Sequence, residues 1–587
     1  MPVSQPARHA ALPLLALLAV SLAPAAPAQV AQLGRVVFPT SASSPAAQDH
    51  FLRGVAALHS FWYEEAAEEF RAASRLDPDF MMALWGEAMT YNHPLWGEQD
   101  AEAARKIVAR LRDLPRLTPR ERGFVNALRA LYGEGDKQAR DEAYSAAMER
   151  LHGENPDDLE AASFYALSLL GTVRPGDHGF ARQMRAGAIA LEVYGKNPEH
   201  PGAAHYIIHA FDDPEHAVLA LPAARRYAEI APAAHHARHM PSHIFLQLGM
   251  WDDAARSNES AWAASTAWVE RKKLSMSLRD YHSLHWLTYV YLQQGRFDEA
   301  ARLLALKERD VVASNYDASV ARALGDTAAA YVLETGRYER APALIELLAK
   351  TRPASPYAPP AAPPAATTSA APPAAPADSC HAAAATPAAA ASQSQPAQAK
   401  PATTRDDAFA LVLVPHFRGL VAAYTKDTAT AERAVTELRA LREQYAGRPV
   451  AKRVEIKELG IAALLRASAG KFDEAVEMMK RATSLEEELS PPSGPPDLLK
   501  PTHELFGEIL LRAGRPREAA AQFKVALARH PNRARSLLGA ARAAAQSGDR
   551  PAAAAAYASL LKIWQRADAR LPELGEARSF VQQARAR

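Results

Sequence analysis

The sequence predicts an all-α solenoid of paired helices, and three observations carry that prediction. The chain has 587 residues, too many to be organised around one hydrophobic core. Apolar residues make up 48% but aromatics only 7%, so alanine dominates the apolar share and favours closely packed helices over sheets. The third observation is repetition. A Gly-x-aromatic-acid-acid-Ala phrase recurs as Gly249-Met-Trp-Asp-Asp-Ala254, Gly295-Arg-Phe-Asp-Glu-Ala300 and Gly470-Lys-Phe-Asp-Glu-Ala475. Looser copies begin at Gly336, Gly514 and Gly548. Each reads as a turn between two helices: the glycine ends the first in a left-handed cap, and the acids complement the dipole of the second.

The flanks of these turns keep a fixed spacing. Gly507, Leu510, Gly514, Ala519, Phe523, Ala526 and Pro531 form one set, and Gly54, Ala66, Phe70, Ala73 and Pro78 repeat it near the N-terminus. The interval from Gly514 to Gly548 is 34 residues. In period and in residue pattern the chain resembles the tetratricopeptide (TPR) superfamily, over most of its length, with degenerate copies between residues 80 and 200. The resemblance implies a right-handed superhelix of about a dozen helix pairs whose concave side binds a peptide or protein partner.

Two segments stand outside the repeats. Residues 1–28 read as a secretory signal: Arg8 lies ahead of an apolar run from Ala10 to Leu22 that is too short to span a bilayer, and Ala26-Pro27-Ala28 offers a cleavage site. The expected location is therefore periplasmic or secreted, with no stable membrane insertion after cleavage. Residues 351–405 are nearly all Ala, Pro, Ser, Thr and Gln, with Tyr357 the one large apolar side chain before Thr404, and are expected to form a disordered linker. They divide a longer solenoid, 46–350, from a shorter one, 406–580. Pro415 is expected to kink the first helix of the latter.

Charge and motif content exclude several functions. Lys+Arg 68 against Asp+Glu 66 gives no basic surface for nucleic acid. The single cysteine, Cys380, excludes an intramolecular disulfide or a cysteine-based zinc cluster. The chain has no Gly-x-Gly-x-x-Gly, phosphate loop or Gly-x-Ser-x-Gly elbow. The aromatic cluster of Trp85, Tyr91 and Trp96 reads as core packing.

The histidines are the exception. Of 20, eight lie between His200 and His243, and His282 and His285 follow. His205-Tyr-Ile-Ile-His209 and His239-Met-Pro-Ser-His243 each hold an i, i+4 pair, which puts two imidazoles on one face of a helix, as two metal ligands would be. Pro201 and Pro241 suit the first turns of their helices. In the TPR register, His205, His209, His239, His243, His282, His285 and Tyr289 fall on groove-facing positions of three successive A helices. Two readings follow. The groove binds a peptide or protein through hydrogen-bonding histidines, or the same histidines hold copper or zinc, the ions suited to all-imidazole ligation in an oxidising compartment. His205-Tyr-Ile-Ile-His209 lacks the glutamate of a zinc-protease helix, and no motif names a reaction. The run from His205 through Pro222-Ala-Ala-Arg225 to His243-Ile-Phe also resembles a group of exported bacterial TPR proteins with the same block, for which no activity is established.

Overall fold

The computed structural model describes residues 32–174, 177, 179–350 and 405–586. The expected signal segment lies outside these residues, as does nearly all of the expected linker. The described chain is almost entirely helical, from α1 (Pro45–His59) to α26 (Pro572–Arg585), with one two-residue hairpin, β1 (Asn92–His93) and β2 (Glu98–Gln99). Successive helices pack as antiparallel neighbours, among them α1 on α2 (Tyr63–Leu76), α14 (Tyr281–Gln293) on α15 (Phe297–Ala313) and α24 (Ala534–Gln546) on α25 (Arg550–Ile563). Each pair also touches the next, which makes the chain a TPR-like solenoid. None of the described helices is long and apolar enough to cross a membrane.

The repeated phrase does what its residues require. Gly249 and Gly295 adopt φ of +63° and +68°, in the left-handed region where a side chain costs free energy. Asp252 and Asp253 then occupy the first turn of α13 (Trp251–Lys272), and Asp298 and Glu299 that of α15, as the helix dipole favours. Between pairs, one bulky side chain fills the space that two glycines leave. A Cβ on Gly54 or Gly86 would lie 2.7 or 2.3 Å from the Phe70 ring, and Gly507 and Gly539 flank Phe523 in the same way.

Two departures from regularity shape the functional region. Pro241 divides the expected helix into α11 (His235–His239) and α12 (Pro241–Gln247), although Met240 between them keeps helical dihedrals, so the i, i+4 relation of His239 and His243 survives. Pro415 lies inside α18 (Arg405–Tyr424).

The helices after residue 405 dock on the turns of the earlier ones. Trp251 Nε1 donates to the Asn532 carbonyl (3.0 Å), and Trp564 Nε1 to that of Gln293 (3.0 Å). At the centre of this contact the Arg533 guanidinium, almost wholly buried, donates to Glu504 (2.7 Å), to the Tyr289 hydroxyl (2.8 Å) and to Glu334.

Candidate metal centre

Three helical segments, made of four helices, supply the histidines. α9 (Pro201–Ala210) carries His205 and His209, the α11–α12 segment carries His236, His239 and His243, and α14 carries His282 and His285. Pro201 and Pro241 stand at helix starts, where a missing N–H costs nothing. The structure gathers six imidazoles into two sets of three: His205, His209 and His236, and His239, His243 and His282. Within each set the donor atoms lie within 4.8 Å of one another. Four of the residues expected from the i, i+4 spacing thus fall into two pairs, and His282 joins the second set. His285 stands apart, with Nδ1 on the Thr327 hydroxyl (3.2 Å).

The hydrogen bonds behind the rings decide which nitrogen faces the centre. His205 Nδ1 lies 2.7 Å from the His59 carbonyl, which can only accept, so that nitrogen carries the proton and Nε2 is a bare lone pair. His239 Nδ1 donates to Asn258 Oδ1 (2.7 Å), and the Asn258 amide is fixed by donating to the Ala254 carbonyl (2.8 Å). His243 Nδ1 donates to Asp212 Oδ2 (2.6 Å), whose other oxygen accepts from Gln247 (3.1 Å). The inward nitrogens then meet: His205 and His209 Nε2 are 3.0 Å apart, where the His209 ring can donate to the His205 lone pair, and His239 and His243 Nε2, both without a proton, are 3.2 Å apart. Two nitrogens bound at about 2.0–2.1 Å to one tetrahedral ion stand about 3.3 Å apart. Buried His236 Nε2 has no hydrogen-bond partner.

Burial sets the protonation. His205 and His239 are wholly inaccessible to solvent, His209, His236 and His243 are half-buried, and His282 is exposed. Desolvation, followed by the charge of neighbouring imidazoles, holds His205, His209, His236 and His239 well below the usual histidine range. His282 is pushed down to about 4 by the protein around it, against the pull of Asp280. Neutral imidazole is the form that ligates a metal.

The open groove expected of a TPR A-helix face is here largely closed. Phe61 packs on His205 (ring centroids 4.3 Å apart), on His209 and on His236, and Tyr227 stacks on His205. Trp286 covers the second set, 4.3 Å from His243 and 5.0 Å from His239. The segment 489–499 crosses above Trp286, where the Pro492 carbonyl accepts from Gln247 (2.6 Å). What stays open is a cleft of about 380 Å³ lined by His282, His285, Trp286, Tyr289, Asp326 and Arg453. On its wall, burial and the charge of Asp497 push Asp326 up to about 7. Tyr289, expected on the groove, lines this cleft with its hydroxyl already held by Arg533.

A third cluster, His59, Glu160 and His200, is wholly buried and differs in kind. Glu160 accepts from His59 Nε2 (2.8 Å), His200 Nε2 (3.2 Å) and the Val37 N–H (3.3 Å). The remaining ring nitrogens pair with the Tyr206 hydroxyl (2.8 Å) and the Ala203 N–H (3.0 Å). Every donor and acceptor is matched, so this is a structural network, and it positions the His59 carbonyl that orients His205.

Sequence reasoning did not single out His236, Asp212, Asn258, Trp286, His59 or Glu160 as site residues. The doubled His235-His236 and the irregular turn at Asp212-Asp213-Pro214 were visible signals for two of them. His59 and Glu160 are 101 residues apart, and nothing local marks their meeting.

No protein-family model and no curated protein matches the chain. Among solved structures it is similar to a tetratricopeptide repeat protein from Parabacteroides merdae, at 12% identity over 59% of this chain and 97% of that one (TM-score 0.29). It is similar to yeast Tom70 at 12% identity over 93% and 90% (TM-score 0.24), and to the human IFIT1 dimer with PPP-AAAA at 11% over 89% and 91% (TM-score 0.35). The assignment of a TPR-like helical-repeat fold rests on the helix pairs and glycine turns of the chain itself.

Proposed function

We propose that this chain is a solenoid scaffold whose histidine block is a transition-metal centre for copper or zinc. One observation carries the reading. His239 and His243 both commit their Nδ1 protons to oxygen acceptors, which leaves two Nε2 lone pairs 3.2 Å apart, one of them on a fully buried ring. Such an arrangement is repulsive unless a cation sits at the point they share, either a proton or a metal ion. Anchoring of the outer nitrogen to a carboxylate, an amide oxygen or a carbonyl is what holds imidazole ligands in place at metal sites. All-nitrogen ligation by neutral imidazole suits copper or zinc and disfavours magnesium or calcium.

Elemental analysis of protein purified from its native compartment tests this. Stoichiometric copper or zinc, reduced in the His239→Ala/His243→Ala double variant with helicity intact, is the expected result. Metal-free protein that takes up neither ion on reconstitution, or a metal content unchanged in the double variant, overturns it.

The role of binding a peptide or protein partner belongs to the cleft. His282, His285 and Tyr289 line it, and its volume of about 380 Å³ falls within the range of ligand pockets. An Ala330→Trp variant fills the cleft from its wall and replaces none of the six histidines. It is expected to abolish capture of peptides on an array and to leave metal uptake unchanged. Peptide capture that survives this change places the partner elsewhere on the solenoid.

A further inference from the structure

The arrangement of the six imidazoles goes beyond the presence of a metal. Resting on the metal reading above, we infer that the block binds two ions side by side: an inner one held by His205, His209 and His236, and an outer one held by His239, His243 and His282.

Three features of the geometry carry this. First, the rings divide into two groups. His205 lies 4.7 Å from His209 and 5.0 Å from His236, and His239 lies 5.0 Å from His243 and 4.7 Å from His282. The pairs that bridge the groups are wider, 6.0 Å for His209 and His243 and 6.1 Å for His236 and His239. Second, each group has its own close pair of Nε2 atoms, 3.0 Å apart in one and 3.2 Å in the other, and each presents a lone pair inward: His205 in the inner group, His239 and His243 in the outer. Two donors on one ion can be at most about 4.2 Å apart, twice a metal–nitrogen bond. Six imidazoles are more than one four-coordinate ion accepts, so a single ion leaves at least two of them, such as the unpartnered His236 Nε2, without a cation. Third, the outward anchors are independent. The inner set is held through the His59 carbonyl and the outer set through Asp212 and Asn258. No anchor is shared.

The two positions differ in surroundings. Phe61 and Tyr227 close over the inner set. The outer set includes His282, which lines the cleft, so an added ligand arriving from solvent meets the outer ion first. Three imidazoles leave a fourth position open on a four-coordinate ion.

Half-buried His209 and exposed His282 supply one replaceable member of each set, neither of them among the fully buried rings. Metal-free wild type, His209→Gln and His282→Gln are loaded with Co²⁺, dialysed, and assayed for cobalt per chain and for the visible spectrum on adding azide. Expected are two equivalents in the wild type and one in each variant, with azide changing the spectrum of His209→Gln but not that of His282→Gln. One equivalent in the wild type, lost from both variants, means a single shared ion and overturns this inference while leaving the metal centre intact. Two equivalents in all three proteins places the ions elsewhere and overturns it as well. No retained cobalt, copper or zinc in the wild type removes the metal reading on which it rests.

Discussion

Asp212 touches no free nitrogen of the histidine block, yet its exchange for asparagine should impair the centre. The carboxylate accepts two hydrogen bonds, from His243 Nδ1 at 2.6 Å and from Gln247 at 3.1 Å, and both neighbours present protons. An asparagine has one oxygen and one amide, so one of the two donors must face an N–H. If the amide turns towards His243, the ring moves its proton to Nε2 and the lone pair that would bind the metal is lost. If it turns towards Gln247, the bridge from Gln247 to Pro492 is strained instead, and His243 keeps a weaker, neutral acceptor. Loss of such an outer anchor lowers metal affinity by about 10–100-fold, or about 1.4–2.7 kcal/mol. Competition against a chelator of known affinity measures the change. The same loss should appear as a smaller rise in melting temperature on adding metal, because stabilisation follows the occupancy of the native state. The metal-free variant should keep its helical circular dichroism, since Asp212 is not part of the apolar core. Unchanged metal affinity would falsify the orientation argument for His243, and with it the main support for the outer site.

Three further outcomes follow from other parts of the structure. Wholly buried His205 and His239 have pKa values far below those of the unfolded chain, so below about pH 6.5 the unfolded state binds more protons. The stability of the metal-free protein should be level above about pH 7 and fall on acidification, by up to about 1.4 kcal/mol per pH unit for each of the two; a melting temperature unchanged between pH 7.5 and 5.5 contradicts their burial as neutral groups. Arg533→Met should cost about 3–5 kcal/mol in urea unfolding, because Glu334 and Glu504 would be left buried and facing one another, and a loss below 1 kcal/mol would mean that the docking of the two helical blocks does not depend on this charge. Gly249→Val combines a left-handed backbone with a Cβ 2.6 Å from Asn532, so a loss of about 2 kcal/mol or more is expected, with the thermal transition broadened as the contact with the C-terminal helices loosens.

Much of this protein is written locally. A glycine that must take positive φ, two acids after it and a bulky residue spaced to fill a glycine gap are short-range requirements, and they locate the helix pairs without reference to the rest of the chain. The same holds for the i, i+4 histidine pairs: helical geometry alone brings His205 to His209 and His239 to His243, even across the Pro241 break. Helix register also identified His282, His285 and Tyr289 as facing inwards. What register could not decide is what lies opposite. Whether the A-helix face is an open groove or a closed chamber depends on Phe61 and the segment 489–499, which reach it from distant repeats, and on the packing of Trp286 over His243, none of which local spacing encodes. The protonation of the rings is set at the same level, because burial and the acceptors behind each Nδ1 come from Asp212, Asn258 and the His59 carbonyl. The choice of which histidines share a donor point is likewise tertiary: His236 of α11 joins His205 and His209 of α9, while His285, on the same helix as His282, points to Thr327 instead. Local sequence determined that the imidazoles exist and come in pairs. Only the superhelical path of the chain could bring two pairs within reach of a third ring each and remove the water that would otherwise solvate them.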